Sequence, residues 1–130
     1  MPKQIFKTDK APAPIGPYNQ AVKANGFIFF SGQVALIPAT GELETSSIEA
    51  ETHQVMKNIS ALLDEAHITF QHLVKTTIFL SDMSLFAKVN EIYGSYFNGA
   101  GDEPARETVA VKGLPRGVNV EISVTPVVEL

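Results

Sequence analysis

The sequence contains no cysteine and no tryptophan among its 130 residues. The absence of cysteine excludes a disulfide framework, a thiolate nucleophile and a zinc site of the cysteine type. The three histidines, His53, His67 and His72, lack the spacing that places two ligands on one helix face beside a third donor. We therefore expect no bound metal.

Positive charge is also scarce. Lysine and arginine total 10 against 14 aspartates and glutamates, which gives a formal net charge of -4 at pH 7. This balance leaves no basic stripe for phosphates, so nucleic acid is not expected as a partner. Because the sequence shows neither the ~20-residue apolar run of a membrane helix nor the apolar core of a signal peptide, we expect a soluble, cytoplasmic protein without a membrane partner.

What remains is a chain of ordinary globular composition, 45% hydrophobic and 18% charged. A chain of this length can bury roughly two thirds of its unfolded surface, which suits one domain spanning residues 1–130. No internal repeat or low-complexity segment divides it.

The first third of the chain is expected to form a strand hairpin after a proline-shaped loop. Residues 11–17 are too rich in proline for regular structure. Asn25-Gly26 is typical of a two-residue hairpin turn. The nearly continuous apolar run from Phe27 to Phe30 predicts burial on both faces of its strand. Ser31 and Gly32 follow it, with a hydroxyl and an unshielded amide able to approach a small anion.

Two helices and a central strand are expected next. The pattern Ser46-x-x-Glu49 matches a capping box that opens a helix of about five turns. Residues 73–80 are rich in β-branched and aromatic side chains, as in a central strand. Asp82 is expected to cap a second helix that ends near Asn98-Gly99. Asn90 lies just off its apolar stripe, where it faces either solvent or a neighbouring cleft.

An arginine enters an apolar strand at Pro104-Ala105-Arg106-Glu107-Thr108. Its guanidinium keeps its proton, so a partly buried Arg106 must face a carboxylate, from the protein or from a ligand. Glu121 in the last strand is the internal candidate for a structural salt bridge. Period-two alternation puts Glu121 on one face of that strand with Ser123, and Arg106 on one face of its own strand with Thr108.

The order of elements predicts an α+β domain with both helices on one face of the sheet. The last strand could form a simple hairpin with the strand before it or step over a neighbour. In either arrangement the other sheet face is left bare, so association through that face is expected.

Motifs in the same order and spacing across almost the whole chain resemble the RidA (YjgF/YER057c/UK114) family of reactive intermediate imine deaminases. They are Ala13-Pro14-Ile15-Gly16-Pro17-Tyr18, Ser31-Gly32-Gln33, Lys75-Thr76-Thr77, Val89-Asn90-x-x-Tyr93, Pro104-Ala105-Arg106, Leu114-Pro115 and Val120-Glu121-Ile122. The resemblance implies a chorismate-mutase-like fold, with a mixed six-stranded sheet whose last strand is inserted between earlier ones. It also implies a homotrimer with three clefts between subunits.

The resemblance implies hydrolytic deamination of enamines and imines such as 2-aminoacrylate to 2-keto acids and ammonia, without a cofactor. Arg106 would clamp the substrate carboxylate, and Glu121 would hold or deprotonate the attacking water. Tyr18, Ser31, Gly32 and Asn90 would line the cleft as substrate-binding residues, as the family's motifs imply.

One residue departs from the common family pattern, because Thr108 stands where many members have cysteine. A covalent thiol mechanism is therefore excluded, while Thr108 could still orient a water. Two other functions stay open: a regulator that binds 2-keto or amino acids without turnover, and a ribonuclease or translation inhibitor, which the acidic balance disfavours.

Overall fold

The computed structural model describes residues 2–128. That part of the chain forms six strands and two α-helices, with short 3-10 turns between some of them. They are β1 (Gln4–Phe6), β2 (Ala21–Ala24), β3 (Phe27–Phe30), α1 (Ile48–Glu65), β4 (Leu73–Leu80), α2 (Phe86–Gly94), β5 (Ala105–Ala110) and β6 (Val120–Pro126). Neither helix is long and apolar enough to cross a bilayer.

The strands pair as two three-stranded sheets. Strands β1, β2 and β3 form an antiparallel sheet, and β4 lies between a parallel β5 and an antiparallel β6 in a mixed sheet. The two sheets meet where β6 approaches β3, through the isolated pairs Phe27–Val127 and Gln33–Ile122. The last strand therefore lies between β4 and β3, as the family resemblance implied, and not beside β5.

The expectation of one six-stranded sheet needs a correction. Hydrogen bonding does not run continuously across residues 2–128, because only isolated pairs, one from β3 and one from the segment after it, join the first sheet to β6 and the residue that follows it. Gln33 and Ile122 exchange two backbone hydrogen bonds of 2.8 and 3.0 Å there. This junction brings the loop after β3 against the start of β6.

Both helices cover the same side of the mixed sheet, as the element order predicted. The buried β4 residues Thr76, Ile78 and Leu80 share this side with their β6 partners. From α2, the Tyr93 hydroxyl donates to Thr76 over 3.0 Å. From α1, Glu51 reaches the backbone of β6. The hydrophobic core lies between these helices and the sheets.

The side of the two sheets that faces away from the helices is called here the open face. In β3 it carries the exposed aromatic residues Phe27 and Phe29. The exposed fractions of Phe27 and Phe29 are 42% and 53%, while Ile28 and Phe30 are buried. The prediction that this strand is buried on both faces is therefore wrong for the single chain. Its apolar residues alternate between the core and an uncovered surface, which is consistent with a face that another chain can cover.

The local structure agrees with the sequence at the hairpin turn and differs from it at the start of α1. Asn25 and Gly26 both have positive φ, 53° and 81°, which confirms the hairpin turn. The N-cap of α1 is Ser47, one residue after the predicted Ser46, and its hydroxyl accepts from the Ala50 amide over 3.0 Å. The Ser46 hydroxyl instead donates to Glu44.

The second helix is shorter than predicted. It ends at Gly94, four residues before Asn98, and Tyr96 and Phe97 follow in tight turns whose amides bond three residues back. Both aromatic rings still pack against the core. The apolar stripe therefore continued past the end of the helix because these rings remain in the core after the backbone has left helical geometry.

A fully buried carboxylate anchors the start of β6 to α1. Glu51 accepts hydrogen bonds from the Asn119 amide (2.7 Å), the Asn119 side chain (2.9 Å) and the Val120 amide (3.1 Å). Asn119 in turn accepts from the backbone amide of Ser81 at the end of β4 over 2.9 Å. One side chain thus ties a helix to the two paired strands next to Glu121.

We expect Glu51→Ala to lower the free energy of unfolding by about 3 kcal/mol, because it leaves one buried and two partly buried N–H donors unsatisfied. Urea denaturation at fixed protein concentration measures this change. The exposed Glu65→Ala is the matched control in the same helix and should stay within about 0.5 kcal/mol of the wild type. Equal stability of Glu51→Ala and Glu65→Ala would contradict the anchoring role.

Candidate functional site

The site residues expected from the sequence form two separate groups in the described chain. Tyr18, Ser31, Gly32 and Glu121 line a cavity of about 380 Å³, which we call the Glu121 cavity. Asn90 and Arg106 line a second depression of about 410 Å³ beside α2. The family resemblance had implied that all of them line one cleft, and that this cleft lies between subunits.

Glu121 is a half-buried acid packed against a glycine. A Cβ added at Gly32 would lie 2.9 Å from the Cδ atom of Glu121, closer than real side chains approach, so only glycine leaves the carboxylate in this position. Desolvation raises the pKa of the Glu121 carboxyl above its usual value. A carboxylate with this environment can accept a proton and return it more readily than an exposed one.

The rest of the Glu121 cavity comes from the proline-rich loop and the end of β3. Gln20 is buried and its side-chain amide donates to the carbonyls of Thr8 and Pro12, 2.9 Å each, which holds the loop in shape. Tyr18 emerges from this loop with 49% of its surface exposed and walls the cavity. The Ser31 hydroxyl donates to the Asn19 carbonyl over 2.6 Å.

Arg106 lies on the edge strand β5, with its guanidinium over α2. Its Nη1 donates to Oδ1 of Asn90 over 2.7 Å. The guanidinium carbon lies 5.3 Å from the centre of the Tyr93 ring and 5.7 Å from that of Phe86, within reach of attraction between a cation and an aromatic face. Asn90 is exposed to solvent and also contacts Arg106, so both of its expected surroundings apply in the single chain.

The structure contradicts a salt bridge between Arg106 and Glu121. Arg106 pairs with Thr76 of β4, whereas Glu121 pairs with Phe79 of the same strand. Since Thr76 and Phe79 are an odd number of residues apart, their partners point to opposite faces of the sheet. Arg106 faces the side of the helices and Glu121 the open face. The expected partial burial of Arg106 is also wrong, because the residue is exposed in the single chain.

Thr108 shares the face of Arg106, as the alternation predicted. Its β4 partner is the buried Ile78. The Oγ1 atom of Thr108 is itself buried and finds no hydrogen-bond partner within residues 2–128. A buried hydroxyl without a partner can bind a ligand or a water.

Sequence reasoning did not single out Arg116, which also lines the Glu121 cavity. The only local feature of the sequence at this residue is the turn pattern Leu114-Pro115-Arg116-Gly117. This pattern indicates a connection between strands and does not by itself indicate a site. Among residues 2–128 no group of three or more histidine and acidic side chains could hold a metal ion.

Residues 8–128 match the family described as endoribonuclease L-PSP. The 2-iminobutanoate/2-iminopropanoate deaminase of Mus musculus is 46% identical over 120 residues, covering 92% of this chain and 87% of the mouse protein. The chain belongs to the RidA/YjgF family.

Two further similarities show the range of this family. The crystal structure of YyfA from Yersinia pestis, a protein of unknown function in the conserved Rid family, superposes with a TM-score of 0.93 at 46% identity, covering 97% of this chain and 99% of that one. The Lactococcus lactis protein AldR, whose name describes it as a regulator, is 48% identical over 121 residues, 93% of this chain and 94% of that protein. Members of this family therefore carry different functional names, and membership by itself does not specify one activity.

We expect Glu121→Gln to be more stable than the wild type at neutral pH. A raised pKa means that the folded chain holds a proton more tightly than the unfolded chain, so the free energy of unfolding falls as pH rises from the usual 4.5 through the raised value. The glutamine variant avoids this loss, and its advantage should vanish on acidification below about pH 4. Urea denaturation across pH, at fixed protein concentration, measures the difference.

Glu107→Gln is the control, because the opposite change in the free energy of unfolding is expected for it. Hydrogen bonds from the Thr77 hydroxyl and from Lys75 lower the pKa of Glu107, so its carboxylate contributes stability that is lost as pH falls through the lowered value. This variant should be less stable than the wild type at neutral pH. If Glu121→Gln behaved in the same way, a hydrogen-bond donor or a cation would have to face the Glu121 carboxylate, against the environment described here.

Proposed function

We propose that the protein hydrolyses reactive imines of the 2-iminopropanoate and 2-iminobutanoate type to 2-keto acids and ammonia. The observation that carries the proposal is the half-buried Glu121 carboxylate held against Gly32 at the wall of a cavity. The name of the mouse relative supports the choice of substrate class. The net charge of -4 gives no reason to propose RNA cleavage.

The proposed chemistry needs one acid–base group. Glu121 as a carboxylate takes a proton from water while the water oxygen bonds to the imine carbon, and the C=N bond becomes a C–N single bond. The protonated Glu121 returns this proton to the nitrogen, which gives a carbinolamine. Glu121 then moves the proton of the added hydroxyl group to the same nitrogen, the C–N bond breaks, ammonia leaves, and the 2-keto acid carbonyl forms. An enamine enters the same sequence after protonation at carbon has converted it to the imine.

Arg106 is proposed to bind the substrate carboxylate. Its planar fork matches a carboxylate through two parallel charge-assisted hydrogen bonds. The ring faces of Tyr93 and Phe86 and the Asn90 oxygen orient the guanidinium before substrate arrives, which lowers the entropic cost of binding. Thr108, two residues further along the same strand face, would place its unpartnered hydroxyl toward the substrate or a water.

We propose that Arg106 of one chain and Glu121 of another chain meet in a cleft between the two chains. Because Arg106 and Glu121 point to opposite sides of one sheet, a small substrate that contacts both requires them from different subunits. The exposed Phe27 and Phe29 give the open face a reason to be covered by another copy. A closed homotrimer, built from one head-to-tail interface used three times, would contain three such clefts.

We expect Arg106→Ala and Glu121→Gln to lower imine hydrolysis by at least about a hundredfold each, and a mixture of the two to recover activity. In equally mixed trimers about a quarter of the clefts combine an intact Arg106 with an intact Glu121, so about a quarter of wild-type activity should return. The two variants are unfolded, mixed in equal amounts and refolded together. The rate of imine hydrolysis is then measured with 2-iminopropanoate that an amino-acid oxidase generates in the reaction mixture.

The double variant Arg106→Ala/Glu121→Gln mixed with wild type is the matched control. If each cleft lies between two chains, about a quarter of the clefts in this mixture have both residues intact. If each cleft lies within one chain, about half of the clefts are intact. A mixture of the two single variants that stays inactive would refute shared clefts. A wild-type protein without any effect on imine hydrolysis would refute the proposed reaction itself.

We expect Gly32→Ala to fold but to lose about a hundredfold in hydrolysis, because its methyl group displaces the Glu121 carboxylate. The displaced group is the end of a flexible side chain, so stability should change little. Gly113→Ala is the control, since an added Cβ there meets no atom within 4 Å. Rates and circular dichroism of both variants give the comparison, and full activity of Gly32→Ala would contradict the position assigned to Glu121.

A further inference from the structure

Arg116 is a cation in the Glu121 cavity for which residues 2–128 provide no partner. It lines the cavity together with Pro115 and Glu121. Its guanidinium makes no hydrogen bond or ion pair with any residue from 2 to 128, and the residue is exposed. An arginine with five unused donors beside a cavity is available for an anionic guest.

The backbone at Arg116 is held in a conformation that is unfavourable for a long side chain. Its φ and ψ are 56° and 21°, in the left-handed region. The described residues with positive φ other than glycine are Asn25, His67 and Arg116. Asn25 has this conformation because it lies in the hairpin turn. His67 has it because it directly follows the C-cap of α1, where its amide donates to the Asp64 carbonyl over 3.0 Å.

No helix end or hairpin accounts for Arg116 in the same way. It lies within the 3-10 turn at residues 115–117, where the Gly117 and Val118 amides bond to the carbonyls of Leu114 and Pro115 over 3.1 and 3.3 Å. Backbone strain of this kind is concentrated at ligand-binding positions. Here it places an arginine at the wall of the cavity that contains Glu121.

The cavity has room for more than the smallest imines. Its volume of about 380 Å³ falls within the range that accommodates ligands considerably larger than a three-carbon acid. Glu121 is the acidic residue of its lining, and burial raises the pKa of that carboxyl with no opposing effect from a nearby cation. Arg116 is therefore not neutralised by Glu121.

We propose that Arg116 binds a second acidic group on the substrate side chain, so that the protein acts on imines of acidic amino acids. The inference rests on the proposed function: with Arg106 of a neighbouring chain on the first carboxylate and Glu121 at the reacting carbon, the side chain extends into the cavity. The guanidinium fork of Arg116 then takes the distal carboxylate in two hydrogen bonds.

The test compares two imines made in place by amino-acid oxidases, one from glutamate and one from 2-aminobutyrate. For each protein the ratio of kcat/KM for the acidic imine to that for the uncharged imine is measured. We expect Arg116→Gln to lower this ratio at least about tenfold, the loss of one charge-assisted contact. Arg116→Lys, which keeps the charge without the fork, should lie between the wild type and Arg116→Gln.

Lys112→Gln is the matched control, because it removes the same charge from an exposed position of the same connection outside the cavity lining. Its ratio should equal that of the wild type. The inference is overturned if Arg116→Gln leaves the ratio unchanged, or if Lys112→Gln lowers it equally, since a general charge effect would then explain the result.

Calorimetry with the non-reacting acids 2-oxoglutarate and 2-oxobutanoate separates this inference from the proposed reaction. Wild type should bind 2-oxoglutarate more tightly, and Arg116→Gln should lose that preference. If the wild type hydrolysed no imine but kept this Arg116-dependent preference, the reaction would fail and the second acid site would stand. Equal binding of both acids by the wild type would overturn the site.

Discussion

Side chains alternate between the two faces of a β-strand, and this constraint separates Arg106 from Glu121. Both lie on strands paired with β4, yet their partners there, Thr76 and Phe79, point to opposite sides. No rotamer of either side chain can bring the two charges through the sheet. A substrate held by both must therefore sit where the helix side of one chain meets the open face of another, which is why we propose a shared cleft.

Two carboxylates near the start of β6 show how environment divides structural from chemical roles. Glu51 is completely buried, and three N–H groups at 2.7–3.1 Å satisfy its oxygens, so it fixes the position of the strand. Glu121, two residues beyond Asn119, is half-buried, and desolvation raises the pKa of its carboxyl. The satisfied acid stabilises the fold, whereas the unsatisfied one retains the capacity to exchange a proton.

The sequence predicted those features that depend on neighbouring residues. The Asn25-Gly26 turn and the strand at Leu73–Leu80 follow from local backbone preference, and the structure confirms both. The pairing of β6 between β4 and β3 was left open by the residues and came only from the family resemblance. The exposure of Phe29 could not be predicted either, because an apolar side chain on an uncovered sheet face looks the same in sequence as one in the core. Arg116 was missed because its importance depends on where a distant cavity lies.

The most direct test of the shared cleft is a crystal structure of the assembled protein with pyruvate bound. We expect the pyruvate carboxylate on Arg106 of one chain and its keto carbon beside Glu121 of a different chain. Pyruvate bound by Arg106 and Glu121 of the same chain, or bound away from Arg106 altogether, would contradict it.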